Sequence, residues 1–206
     1  MMPLQYITHR NQRFGYLEGA QLALRGGCRW IQLRMKEATD EEFVETGCRL
    51  RTMCRQYDAT FVIDDRVHLV SEVQADGVHL GQRDMPVAEA RALLNNKAIV
   101  IGGTANTFED IVHLYEQGAD YIGCGPFRFT TTKRNLAPVL GLKGYQDIIA
   151  KMKQNGINIP LIAIGGIQRD DVAAIMQTGV SGIAVSSAVL MAADPEKEMR
   201  LFLLNR

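Results

Sequence analysis

No stretch of the 206-residue chain carries the roughly 20 consecutive apolar residues that a bilayer-crossing helix needs. The opening Met1-Met2-Pro3-Leu4-Gln5-Tyr6 lacks the charged-then-apolar order of a secretory leader. An excess of one charge sign is also missing: 23 Lys and Arg stand against 23 Asp and Glu. That balance gives no ground to expect nucleic acid or a membrane surface as partner, although it leaves room for a local positive pocket. Cysteine is scarce, and Cys28, Cys48, Cys54 and Cys124 stand in neither CxxC nor other metal-type spacing. They read as buried free thiols of a protein in a reducing compartment, which favours the cytoplasm. There is no HExxH, no Ser-His-Asp order and no GxGxxG turn after the first apolar run, which argues against a zinc protease, a serine hydrolase and a dinucleotide fold. His9, His68, His79 and His113 are scattered. No linker or low-complexity tract divides the chain, so residues 1–206 are expected to form one domain.

What is present is a repeated strand-then-helix rhythm. Short apolar runs at 5–8, 30–34, 60–63, 77–80, 98–102, 121–124, 161–164 and 182–185 read as strands. Between them apolar residues recur at helical spacing: Leu17, Ala20 and Leu24; Phe43, Gly47, Leu50 and Cys54; Phe108, Ile111, Val112 and Tyr115; Val172, Ile175, Met176 and Gly179. Thr39 before Asp40-Glu41-Glu42 has the form of a helix N-cap with an acidic first turn. Four junctions look alike, at Gly27, Gln74, Gly118 and Gly179, each ending a helix and entering a strand rich in β-branched residues. Strands that are continuously apolar are covered on both faces, as in a parallel sheet wrapped by helices. Eight such units favour a closed α/β barrel, a single-domain (β/α)8 TIM barrel.

In that architecture the chemistry belongs to the C-terminal ends of the strands. After the second strand, Gln32, Arg34 and Lys36 share one face by period two, and two cations with an amide suit a polyanion. After the third and fourth come Asp64-Asp65-Arg66 and Gly81-Gln82-Arg83-Asp84, which offer hard oxygen ligands for Mg2+. Helix capping and ordinary ion pairs would account for the same residues. Thr104 follows Gly102-Gly103 and either faces the site or caps the next helix. The loop after strand six is about 18 residues long, against the usual two to six. Its Thr130, Thr131, Thr132 and Lys133 read as an anion-binding lid. Strands seven and eight end in Gly165-Gly166 and Ser186-Ser187, where barrels commonly seat phosphate on free backbone N–H groups. His79, alternating with Val78 and Leu80, is expected inside the barrel or its packing layer rather than in catalysis.

These runs, with Gly77-Val78-His79-Leu80-Gly81-Gln82 and Ala119-Asp120-Tyr121-Ile122-Gly123-Cys124-Gly125-Pro126, resemble the thiamine phosphate synthase family from about Leu4 to Met191. The resemblance implies condensation of 4-amino-2-methyl-5-pyrimidinylmethyl diphosphate with 4-methyl-5-(2-phosphoethyl)thiazole, with release of pyrophosphate. It implies that Gln32, Arg34, Lys36, Asp64, Thr104 and Lys133 hold the pyrimidine diphosphate, Arg34, Lys36, Lys133 and Thr104 being the catalytic set. Asp65 and Asp84 would hold Mg2+, and Thr130, Thr131, Thr132, Gly166, Ser186 and Ser187 would meet the thiazole phosphate. The chain departs from the family's usual residues at Asp64 (Asn), Thr104 (Ser) and Ser186 (apolar). A thiazole tautomerase of the same architecture and a non-catalytic thiamine-precursor-binding barrel are the rival readings. Small phosphorylated molecules are the expected partners, and the pattern leaves the oligomeric state open.

Overall fold

The computed structural model describes residues 4–129 and 138–204. Eight parallel strands close in chain order into a barrel: β1 (Leu4–Ile7), β2 (Trp30–Leu33), β3 (Thr60–Asp64), β4 (Gly77–Leu80), β5 (Val100–Ala105), β6 (Tyr121–Cys124), β7 (Leu161–Ile164) and β8 (Gly182–Val185). The helices are α1 (Tyr16–Arg25), α2 (Asp40–Gln56), α3 (Val87–Leu94), α4 (Phe108–Glu116), α5 (Gly141–Gln154), α6 (Val172–Gln177), α7 (Ser187–Leu190) and α8 (Pro195–Leu204). The β3–β4 crossover carries only a short 3-10 turn, Val67–Leu69. No described helix is long and apolar enough to cross a membrane.

Strand alternation divides the core into two layers. Outward positions such as Leu4, Ile31, Phe61, Val78, Ile101, Ile122 and Ile183 pack under the helices. Among inward positions, Ile7, Trp30, Val62, Tyr121, Ile162 and Ala184 form a separate apolar cluster inside the barrel. Gln32, Asp64 and His79 are buried inward polar residues toward the strands' C-terminal ends, and Gln5 is a further one level with Ala184.

The four look-alike junctions share a backbone feature. Gly27, Gly118 and Gly179 have φ of +101°, +80° and +97°, and Gln74 takes the same left-handed region at +52°. At Gly27, Gly118 and Gly179 the left-handed residue reverses the chain from helix to strand, and glycine does so without a Cβ penalty. At Gln74 the expected helix end is corrected, because a run of turns and no α-helix precedes β4. Thr39 caps α2 as expected: its hydroxyl accepts from the Glu42 N–H while Glu42 accepts from the Thr39 N–H.

Some boundaries move. β5 starts at Val100 rather than 98 because the Asn96 side chain and carbonyl accept from the Ala98 and Ile99 N–H groups, holding those residues in a turn. It runs on to Ala105, paired with Cys124. β1 takes in Leu4, which pairs with Ile183, while Thr8 leaves the strand and accepts from the Arg34 N–H. β3 gains Asp64, opposite His79. Two burial expectations are corrected. Cys48 is exposed, because the buried stripe of α2 is Phe43, Gly47, Leu50 and Cys54 and residue 48 lies off it. Tyr115 is 43% exposed, and its neighbour Leu114 packs toward the bare backbone of Gly103 instead.

Candidate active site at the open end of the barrel

The ends of β2 and β3 bring the first group of predicted residues together. Gln32 and Asp64 point inward from adjacent strands, and Gln32 Nε2 donates to Asp64 Oδ1 at 2.6 Å. Arg34 Nε lies 3.4 Å from Asp64 Oδ2, and Lys36 Nζ lies 3.9 Å from Asp65 Oδ2. The two cations thus converge, each against its own carboxylate. A cavity of about 90 Å³, lined by Met35, Lys36, Asp64, Asp65 and Arg66, opens between them. Arg66 itself turns away, to Asp40 and the Ala38 carbonyl, in the ordinary ion pair that its sequence position also allows.

Asp65 sits at φ +65°, a region that Asp tolerates better than most residues. This bend ends β3 and leaves the carboxylate at the rim. Asp84 arrives from the β4 loop, where its Oδ2 accepts from the Gly81 N–H at 2.6 Å and shapes the turn. Burial raises the Asp64 carboxyl above the usual carboxylate range, against the opposing pull of Arg34 and Lys36. Burial, followed by the charges of Asp64 and Asp84, pushes Asp65 up to about 8. Three acids therefore share this corner with too little positive charge. Among the described residues, no group of three or more His, Cys, Asp or Glu is arranged to hold a metal ion.

Thr104 is not a helix cap. The cap of α4 is Thr107, whose hydroxyl accepts from the Asp110 N–H, and Thr104 faces inward from β5. There it meets a chain of buried polar groups. His79 Nε2 is 2.9 Å from Thr104 Oγ1, His79 Nδ1 is 3.0 Å from the Tyr121 hydroxyl, and Gln5 Nε2 lies 3.4 Å beyond. His79 lies inside the barrel, as expected. Tyr121 and Gln5 escape sequence reasoning because each sits in an apolar strand pattern. The signal that could have found them is parity, since both share the inward phase with Trp30 and Gln32.

The opposite side of the mouth is built differently. Gly165 and Gly166 follow β7 at φ +102° and +69°. The chain leaving β6 is stitched over them, with the Phe127 N–H donating to the Ile164 carbonyl and the Arg128 N–H to that of Gly165. A Cβ on Gly166 would stand 2.5 Å from Arg128 Cγ. Arg128 is anchored in turn by Asp171 at 2.6 Å. Ser186 and Ser187, both half-buried, form the turn from β8 into α7, where the Ser186 carbonyl accepts from Val189 and Leu190. The predicted Thr130, Thr131, Thr132 and Lys133 lie outside the described residues.

A family model described as thiamine monophosphate synthase matches residues 4–189. A thiamine-phosphate synthase of Phocaeicola vulgatus is 56% identical over 197 residues, covering 96% of this chain and 94% of its own. One of Bacteroides fragilis is 54% identical over 203 residues, covering 98% and 99%. Among solved structures, a thiamine phosphate pyrophosphorylase from Pyrococcus furiosus superposes with a TM-score of 0.86 at 38% identity, covering 98% of this chain and 94% of that one.

Proposed function

The chain belongs to the thiamine monophosphate synthase family, and we propose that it condenses 4-amino-2-methyl-5-pyrimidinylmethyl diphosphate with 4-methyl-5-(2-phosphoethyl)thiazole to give thiamine monophosphate and pyrophosphate. The observation that carries this reading is the corner where Arg34 and Lys36 face Asp64 and Asp65, with Asp84 alongside. Such a corner suits a polyanion held together with a cation. A tautomerase on the same scaffold needs no diphosphate or metal pocket, so the intact charged corner counts against it. A sensor that only binds a thiamine precursor has no need to stabilise a leaving group.

In the reaction the bond between the pyrimidine methylene and the diphosphate oxygen breaks, and its electron pair leaves with the diphosphate. The lone pair of the thiazole nitrogen then forms the new C–N bond. No proton has to move at the reacting atoms, which accounts for a site without a nucleophile–base pair. Arg34, Lys36 and Lys133 are assigned to the diphosphate, where their charge is worth most as negative charge grows on the departing group. Gln32 and Thr104 hold the same substrate on the inner side. The glycine turn after β7, with Ser186 and Ser187, presents backbone N–H groups and hydroxyls to the thiazole phosphate, joined by Thr130, Thr131 and Thr132.

The residues fit a divalent cation. Mg2+ binds proteins through one or two carboxylates, completing its shell with water and substrate phosphate rather than with an all-protein cage. Asp65 and Asp84 meet that description: the two carboxylates lie close enough to interact, beside Asp64, and a cation would offset their mutual repulsion. When bound, Mg2+ would neutralise charge developing on the diphosphate. The mostly buried free thiols fit a reducing, cytoplasmic setting. Pyrophosphate release from the two substrates with Mg2+ tests the assignment. Binding of both substrates without turnover would leave only the sensor.

A further inference from the structure

The polar chain beneath Thr104 has a direction. Gln5 is 2% exposed, and its Nε2 donates to the Tyr121 oxygen. With Gln5 donating to that oxygen, the phenol hydrogen has His79 Nδ1, 3.0 Å away, as its acceptor in the arrangement where every member of the chain is paired. A neutral imidazole that accepts at Nδ1 carries its hydrogen on Nε2, and in that tautomer Thr104 Oγ1, 2.9 Å away, is the acceptor. In that arrangement the hydrogen of Thr104, a half-buried residue, is left to donate elsewhere.

Two glycines make room for this chain. A Cβ on Gly102 would fall 2.1 Å from Tyr121 Cζ, and one on Gly123 would fall 3.0 Å from His79 Cε1. Both are inward positions of the neighbouring strands, paired as Gly102 with Tyr121 and Thr104 with Gly123. The Tyr121 ring is further held edge-on against Trp30 at 4.9 Å. The barrel wall is thus bare where the two rings must pass.

We propose that Gln5, Tyr121 and His79 are positioning residues that orient the Thr104 hydroxyl as a hydrogen-bond donor toward an acceptor atom on the pyrimidine ring of the substrate. The proposal rests on the reading above that Thr104 meets the pyrimidine diphosphate. The ring is preferred to the diphosphate because Thr104 stands at the end of the interior chain, which includes Tyr121 of the apolar cluster, whereas the cations gather on β2.

The test uses the full-length protein labelled with ¹⁵N-histidine. The His79 signals, assigned by their loss in His79→Gln, should show the tautomer protonated at Nε2. In Tyr121→Phe, which keeps the ring packing, that preference should relax. Thr104 then gains the option of donating to His79 instead of to the ligand. KM for the pyrimidine substrate should rise about tenfold, the effect of one neutral hydrogen bond, with the thiazole KM and the inhibition constant of inorganic pyrophosphate unchanged. Thr104→Val should cost about as much, and adding Tyr121→Phe to it should cost little more, because both changes remove the same bond. Thr104→Ser should restore the wild-type KM. An Nδ1-protonated His79 in the wild type, additive losses in the double variant, or equal weakening of pyrophosphate binding would each overturn the proposal. The tautomer is read without turnover, so its result stands apart from whether the condensation itself is observed.

Discussion

Around the mouth of the barrel, β2 to β4 end in charged side chains, whereas β7 and β8 end in glycine and serine. The charged side has to be balanced when no ligand is present. Arg34 faces Asp64, Lys36 faces Asp65, and burial together with neighbouring acids holds Asp65 near 8. A ligand arriving there exchanges one set of charge pairs for another, and the response to substitution is large in either direction. The backbone side carries no net charge to balance. In the proposed reading its affinity would come from N–H groups fixed by the turn at Gly165 and Gly166, and its weak point would be any atom added to that turn. One half is therefore tuned by electrostatics and the other by shape.

The largest expected effects fall on the charged half. Chelation of divalent metal should abolish pyrophosphate release. Asp65→Asn, which keeps a residue tolerant of φ +65°, should lower kcat/KM by on the order of 10²–10³, the loss typical of one preorganised electrostatic contact. Magnesium titration by calorimetry in the presence of pyrophosphate should show the same weakening. Full turnover in EDTA would remove the metal from the reading. Lys133→Ala should cost a similar factor, on the order of 10²–10³, mainly in kcat, because its charge matters most as the leaving group departs. If steady-state kinetics showed only the thiazole KM rising, the division of the rim into two phosphate seats would be wrong.

The two halves also differ in how legible they are in the sequence. The alternation of apolar runs is enough to indicate the barrel, and period two by itself puts Gln32, Arg34 and Lys36 on one face. Thr104 is ambiguous in sequence, since a hydroxyl before a helix reads alike in both roles, and only the capping of α4 by Thr107 decides it. Tyr121 and Gln5 are hidden because an aromatic or a lone amide in an apolar strand looks like packing. Strand register lines Tyr121 up with His79 through Gly102, and the Gln5 amide reaches the Tyr121 hydroxyl from β1. The ends of β5 and the exposure of Cys48 and Tyr115 depend on side-chain turns and on helix phase, which composition does not encode.

Intermediate effects are expected on the backbone half. Gly166→Ala places a Cβ 2.5 Å from Arg128 Cγ at φ +69°, a strain of about 1–3 kcal/mol. It should lower Tm and raise the thiazole KM, leaving the pyrimidine KM near its wild-type value. Ser187→Ala should raise the thiazole KM about tenfold or more, the range for one hydrogen bond to a charged group, without the loss of Tm. A pyrimidine KM that moved with either variant would mean that the two halves act as one.

The smallest effect is expected at Asp64, where the charged half departs from the family's usual residue. Asp64 accepts from Gln32 Nε2 at 2.6 Å and faces Arg34 at 3.4 Å, and it is 8% exposed. Asn keeps an oxygen for the Gln32 amide and the volume of the side chain. It removes a carboxylate that burial already disfavours and whose charge opposes both the diphosphate and the ionisation of Asp65. Against these gains stands the loss of Arg34's partner, a cation that the incoming diphosphate would itself satisfy. The opposing terms should leave kcat/KM within about tenfold of wild type, equivalent to less than about 1.4 kcal/mol. KM for the pyrimidine substrate should be unchanged or lower. Asp64→Leu keeps the size but leaves the Gln32 amide without its acceptor and Arg34 without a partner, and it should cost more than Asn in both kcat/KM and Tm. Parallel kinetics and thermal melts of the two variants decide the point. If Asn were as damaging as Leu, the negative charge itself would be required, and Asp64 would belong with Asp65 and Asp84 as a member of the cation site rather than as the partner that holds Gln32 and Arg34 in place.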